Sequence, residues 1–126
     1  MEKGQIIPNG VVLDTHEMAT VVFLTELGKD VELIPRSNIE GCHTPDIKMD
    51  GLDWEMKSPK GSGKWLVKNT VQRAAHQSEN IIIDLRRVKL PQEKCLRELE
   101  HQFEMSKRIK RMKIITKGKK CLDFDK

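Results

Sequence analysis

The stretch IKMDGLDWEMK, residues 47–57, constrains the fold more than any other part of the chain. Asp50-Gly51 is a strong two-residue hairpin signal, because Asp and Gly both tolerate the positive φ that a type I′ turn demands. A two-residue turn fixes the register: Met49 faces Leu52, Ile47 faces Trp54, and Asp46 faces Glu55. Alternation then fixes the faces. Ile47, Met49, Leu52, Trp54 and Met56 form an apolar side turned towards a core, while Asp46, Lys48, Asp53, Glu55 and Lys57 share the opposite side.

Periodicity supplies the remaining elements. Asp14 is a good N-cap with Glu17 at the capping-box position, Met18, Val21, Val22 and Thr25 recur at helical spacing, and Gly28 closes the run, which predicts a helix from Thr15 to Leu27. Val31 to Pro35 reads as a short strand and Arg36 to Thr44 as a polar loop. A second helix is expected over Trp65 to Ser78, with Val67, Val71, Ala74, Ala75 and Ser78 on its apolar stripe. IIIDL, residues 81–85, is too short for a helix and apolar on both faces, as a central buried strand is. Pro91 stands near the start of a third helix with Cys95, Leu96, Leu99, Phe103 and Ser106 inward, and MKIIT and KCLDFD form a closing hairpin around Lys117-Gly118. The expected order is α-β-β-β-α-β-α-β-β, an α/β (α+β) fold with a mixed central sheet flanked by helices. A chain of 126 residues suits one domain, residues 1–126, with one core.

The polar side of the hairpin carries the chemistry. Directly opposed side chains have β-carbons only ~5 Å apart, and like charges there are destabilising. Asp46 against Glu55 therefore needs a cation between them or a raised pKa on one of them. A divalent metal ion answers this best, magnesium or manganese given all-oxygen ligands, and Lys57 on the same face can reach whatever the ion holds.

Composition narrows the partners. A net charge of +4 permits a polyanionic one. The three cysteines are odd in number and show no CxxC spacing, so neither a thiolate zinc site nor a disulfide framework is indicated; they read as cytoplasmic thiols, although Cys42-His43 could supply two metal ligands near the carboxylates. No apolar run approaches the ~20 residues of a membrane span, and the N-terminus lacks a signal peptide's apolar segment. KGSGK, residues 60–64, links a strand to a helix but fails the phosphate-binding P-loop pattern, since Ser58 occupies the first glycine's position and Trp65 follows the lysine. It reads instead as a flexible basic loop from which Lys60, Lys64 and Lys68 contact phosphates. KRIKR, residues 107–111, extends that surface or suits the negative end of the third helix. The absence of tyrosine argues against an aromatic stacking platform.

Pro45-Asp46, eight residues, then Glu55-Met56-Lys57 resembles the PD-(D/E)xK nuclease signature, and the element order from Thr15 to Leu85 is similar to that superfamily's core. More narrowly, the segment from about Glu2 to Leu122 resembles the CdiA C-terminal tRNA-nuclease domain of contact-dependent growth inhibition proteins and related polymorphic toxins. The stretches HEMATVVFLTELG, TPDIKMDGLDWEMKSP, AAHQSENIIIDL and FEMSKRIKRMKII carry the likeness. The resemblance implies a metal-dependent ribonuclease toxin that hydrolyses tRNA in a target cell's cytoplasm, held in check by a cognate immunity protein and using no small-molecule cofactor. It assigns Asp46 and Glu55 as metal ligands, Lys57 as the catalytic lysine, Glu17 as the helical acid and Gln77 as the glutamine on the helix after ExK. Glu17 is equally well explained as a capping acid, and His16 as a surface histidine or as a base in a metal-free reaction. The residues by themselves do not separate RNA from DNA as substrate, nor an enzyme from a nucleic-acid-binding module.

Overall fold

The computed structural model describes residues 2–37, 39 and 43–126. Its elements run β1 (Ile6–Ile7), α1 (Thr15–Glu26), β2 (Val31–Leu33), β3 (Ile47–Met49), β4 (Leu52–Lys57), α2 (Leu66–Gln77), β5 (Asn80–Asp84), α3 (Gln92–Met105), β6 (Arg111–Ile115) and β7 (Cys121–Asp125). The seven strands form one mixed sheet in strict chain order, β1 to β7. Neighbours pair in parallel at β1/β2, β4/β5 and β5/β6, and antiparallel at β2/β3, β3/β4 and β6/β7. No helix among the described residues is long and apolar enough to cross a membrane.

The hairpin at the sheet's centre follows from its turn. Asp50 and Gly51 have φ of 55° and 76°, the pair of positive angles a type I′ turn needs. Met49 pairs Leu52 and Ile47 pairs Trp54, as the two-residue turn dictates. A methyl group on Gly51 would meet nothing within 4 Å, so the backbone angle is the whole cost of adding one. Gly51→Ala is expected to lower stability by about 1 kcal/mol, read from urea unfolding; an unchanged midpoint would contradict the turn assignment.

Helix α1 ends on a Schellman motif. Gly28, at φ 89°, donates its N–H to the Thr25 carbonyl, and Lys29 donates to Leu24. The chain then turns straight into β2.

Each face of the sheet has its own core. Val21 and Leu24 of α1 pack with Leu33, Ile47, Met49, Trp54, Met56 and Ile82 on one face. Val67, Val71 and Ala74 of α2 and Leu99 and Phe103 of α3 pack with Ile81, Ile83 and Ile114 on the other. The result is a three-layer sandwich. All five residues of β5 are buried, and its alternate isoleucines serve the two faces, which explains the unbroken apolar run.

Three expectations need correction. Strand β1 was not anticipated; it pairs in parallel with β2 through only two residues. Val22, expected on the inner face of α1, is 39% exposed, while Thr20, Phe23 and Leu24 are buried beside Val21 and Thr25. Ser78 and Ser106 are C-cap residues rather than members of the apolar stripes of α2 and α3.

Candidate active site

Asp46 lies one residue before the β3 ladder. Its N–H donates to the Trp54 carbonyl and its own carbonyl accepts from Ile34, which locks the backbone between β2 and β4. The carboxylate bends across the hairpin and accepts the Met56 N–H through Oδ2 at 2.8 Å. Asp46 therefore sits over the middle of β4, beside Glu55.

Glu55 points to the α2 side of the sheet, opposite its neighbours Trp54 and Met56, and is 5% exposed. Its Oε2 lies 3.2 Å from the Lys57 Nζ, while Oε1 is buried with no hydrogen-bond partner among the described residues. Burial raises its pKa first and the Asp46 carboxylate adds to this; the Lys57 ammonium opposes both, and the result is a value of about 7. Two acids and an ammonium thus share one side of the hairpin, the arrangement that alternation predicts.

The three groups open into a hollow of about 320 Å³ that Gln77, at the last turn of α2, also lines. Arg36 and His43 complete its wall. A second hollow of about 260 Å³ adjoins it, sharing Arg36 and Lys57, and receives His16, Glu17 and Thr20 from α1 together with Ser58, Thr70 and Arg73. Glu17 performs the capping role, accepting the Asp14 N–H at 3.2 Å, and also faces this cleft with Arg36 at 3.9 Å. His16, Asp14 and Glu17 cluster closely enough to offer three ligand atoms, on the surface end of the same cleft.

Lys60, Lys64 and Lys68 do not line the cleft. Lys60 is exposed on its loop, whereas the ammonium groups of Lys64 and Lys68 stand 4.9 and 5.6 Å from the centre of the Trp65 ring. In the 107–111 cluster, Arg108 reaches His76 at the end of α2, while Ile109 is buried. Of the Cys42-His43 pair, Cys42 lies outside the described residues and His43 faces the carboxylates. Sequence reasoning missed Arg36 and Arg73. The pairing of Leu33 with Ile47 brings residues 36 and 44 to the same end of the hairpin, and that register is the signal from which Arg36 could have been found.

The raised pKa of Glu55 has a measurable consequence. An unfolded glutamate releases its proton near 4.5, whereas the folded one holds it to about 7. Between those values the unfolded state loses its proton first, so Glu55 makes metal-free stability fall as pH rises. Glu55→Gln is expected to remove this slope, giving a variant more stable than the parent above pH 7 by up to about 3 kcal/mol. Urea unfolding with chelator at pH 5 and pH 8 measures it; parallel pH profiles for parent and variant would contradict the assignment.

Comparison with known proteins adds family and fold. The sequence model described as the contact-dependent growth inhibition CdiA C-terminal domain matches residues 43–121, a span that includes Asp46, Glu55, Lys57 and Gln77 but not Glu17. A solved structure, the CdiA-CT/CdiI toxin and immunity complex from Burkholderia pseudomallei, contains a chain similar in fold, with a TM-score of 0.70 at 16% identity over 98% of this chain and 100% of that one. None of the curated proteins matches.

Proposed function

The chain belongs to the contact-dependent growth inhibition CdiA C-terminal domain family, and from that premise we propose that it is a nuclease-type toxin module that hydrolyses the phosphodiester backbone of RNA, with tRNA as its substrate class. The observation that carries the reading is Glu55, a buried carboxylate with one orphaned oxygen, a second carboxylate beside it and an ammonium 3.2 Å away. A buried ionisable group so perturbed, facing an open hollow, is a mark of a reaction centre. The PD-(D/E)xK-like reading of the run from α1 to β5 is part of the same proposal.

The donor set fits a divalent cation. Glu55 Oε1 has no hydrogen-bond partner among the described residues and the two acids repel, so a hard ion such as magnesium or manganese, held by Asp46 and Glu55, would satisfy both. Bound there, such an ion supplies charge neutralisation at the phosphate and a water of lowered pKa. Lys57 donates to a phosphate oxygen and stabilises the charge that grows there during attack. Gln77 holds the phosphate or the attacking water from the α2 side. Glu17, in the adjoining hollow, orients Arg36 over the cleft.

The similar Burkholderia domain was solved with an immunity protein, and we extend that kind of partner to this chain. An inhibitor that covers the cleft competes with RNA for Lys57, Arg36 and Arg73, so its contact surface is acidic.

The test is incubation of the purified protein with total RNA and with plasmid, in magnesium and in chelator. Loss of RNA in magnesium alone, leaving 5′-phosphate and 3′-hydroxyl ends, is the expected result. Cyclic phosphate ends in chelator would replace the metal by attack from the 2′-hydroxyl. Loss of plasmid with RNA intact would move the substrate to DNA, and damage to neither would leave a nucleic-acid-binding module.

A further inference from the structure

Positive charge is unevenly distributed along this chain. Residues 58–77 contain Lys60, Lys64, Lys68 and Arg73 and no acid. The remaining 19 basic and 19 acidic residues cancel, so this one segment accounts for the whole net charge of +4. A run of positive charge of this kind is suited to a polyanionic partner and says little about the fold.

An aromatic ring stands in the middle of it. Trp65 is 56% exposed, whereas Phe23, Trp54 and Phe103 are buried and Phe124 is half-buried. Two ammonium groups lie over its ring, Lys64 at 4.9 Å and Lys68 at 5.6 Å from the centroid, cation–π partners on flexible stems that a stacking base displaces towards its own phosphates. Lys64 also lines a hollow of about 320 Å³ together with Val67, Leu90, Lys94, Arg97 and one acid, Glu98. The segment also touches the cleft twice, since Ser58, Pro59 and Arg73 line the hollow that contains Lys57. Trp65 lies in the chain between those contacts.

We propose that this surface binds a single-stranded stretch of nucleic acid, with one base stacked on the Trp65 indole and the flanking phosphates on Lys64 and Lys68. The inference rests on the ribonuclease reading only for which strand is bound. Stacking needs an unpaired base, because duplex bases already cover one another, and it accepts any base. The lysines supply affinity that falls with salt and no sequence preference. An acidic protein surface would satisfy the ammonium groups but leave the indole without a flat partner. The scarcity of aromatic residues in the sequence argued against a stacking platform; a single exposed ring flanked by cations suffices for one base.

The chain contains its own probe. Its two tryptophans differ in environment, since Trp54 is 3% exposed with Nε1 donating to the Met49 carbonyl, so Trp65 carries the emission that a ligand can quench. Titration of the protein in chelator with a twelve-nucleotide oligouridylate is expected to quench that emission to saturation, with affinity falling as salt rises. Trp65→Leu is expected to bind about tenfold more weakly and to show no quenching of the remaining Trp54 emission, while its thermal midpoint stays near the parent's. In cleavage assays the loss falls on KM. Equal affinity of Trp65→Leu and parent, absence of oligouridylate binding, or equal quenching by polyglutamate would overturn the proposal, the last in favour of a protein partner. Quenching without any cleavage in magnesium would sink the ribonuclease reading and leave this one standing. Cleavage with an unchanged KM in Trp65→Leu would do the reverse.

Discussion

Glu55→Gln is expected to cleave RNA at least 10² to 10³ times more slowly than the parent, the usual effect of removing one group that meets developing charge. The glutamine keeps the shape of the side chain and removes the charge. It cannot hold a cation with Asp46 as a carboxylate can, and it no longer pairs with Lys57 3.2 Å away. Misfolding does not explain such a loss, because the variant is expected to be as stable as the parent or more so above neutral pH. Asp46→Asn should fall as far, with a small structural cost from weakening its bond to the Met56 N–H. Lys57→Met should lose a similar factor while still binding manganese. The three act on one event, so the double variant Glu55→Gln/Lys57→Met should be hardly slower than the worse single one. Single-turnover cleavage of end-labelled tRNA measures all four. A Glu55→Gln rate within tenfold of the parent's would remove the hairpin acids from the chemistry.

The second large effect is on stability and lies on the other face of the sheet. Asp84 ends β5 at 2% exposure, where it accepts the Thr20 hydroxyl at 2.7 Å and the Arg86 guanidinium through Nε at 3.0 Å and a terminal nitrogen at 2.8 Å. The same guanidinium donates to the Ala19 carbonyl and lies over the Phe23 ring. Burial pushes the Asp84 carboxyl up, but the bonds from Arg86 and Thr20 outweigh it and hold the group below the usual carboxylate range. Asp84 thus contributes stability that is present at neutral pH and lost as acid protonates it. Arg86→Met strands a charge in the core, and is expected to cost about 3 kcal/mol in urea unfolding at pH 7. Asp84→Asn added to Arg86→Met should recover most of that, because the stranded charge is gone. A cost under about 1 kcal/mol for Arg86→Met would mean that water already reaches the pair. The cluster ties α1 to the centre of the sheet, and α1 carries His16 and Glu17 to the cleft. Loosening it should therefore slow cleavage before it unfolds the protein.

The hairpin was legible because its turn leaves no choice: Asp50 and Gly51 need positive φ, and a two-residue turn assigns every side chain to a face. The isoleucines of β5 were legible because neither face of that strand meets water. The facing of α1 was not, since VVFLT is apolar on every side and no period can orient it; only packing exposes Val22 and buries Thr20. Strand β1 has two residues and a partner about 25 positions away, below anything alternation can register. At the site, proximity of Asp46 to Glu55 follows from register, but the bond from Met56 to Asp46 does not, because Asp46 lies outside the ladder. Lys64 and Lys68 were read for charge alone. Their direction depends on where α2 begins, and that is set by the Trp65 boundary rather than by any spacing.

The strict β1-to-β7 order carries a kinetic consequence. Each strand bonds only to those before and after it in the chain, so every ring that strand pairing closes spans one turn, one loop or one helix, and the pairings are of low contact order for a seven-stranded sheet. Low contact order speeds folding, since little loop entropy is lost before each new pairing is made. Strand pairing can spread outward from the Asp50-Gly51 turn one neighbour at a time, and the search that remains is the docking of α1 on β5, where Thr20 meets Asp84 across 64 residues of chain.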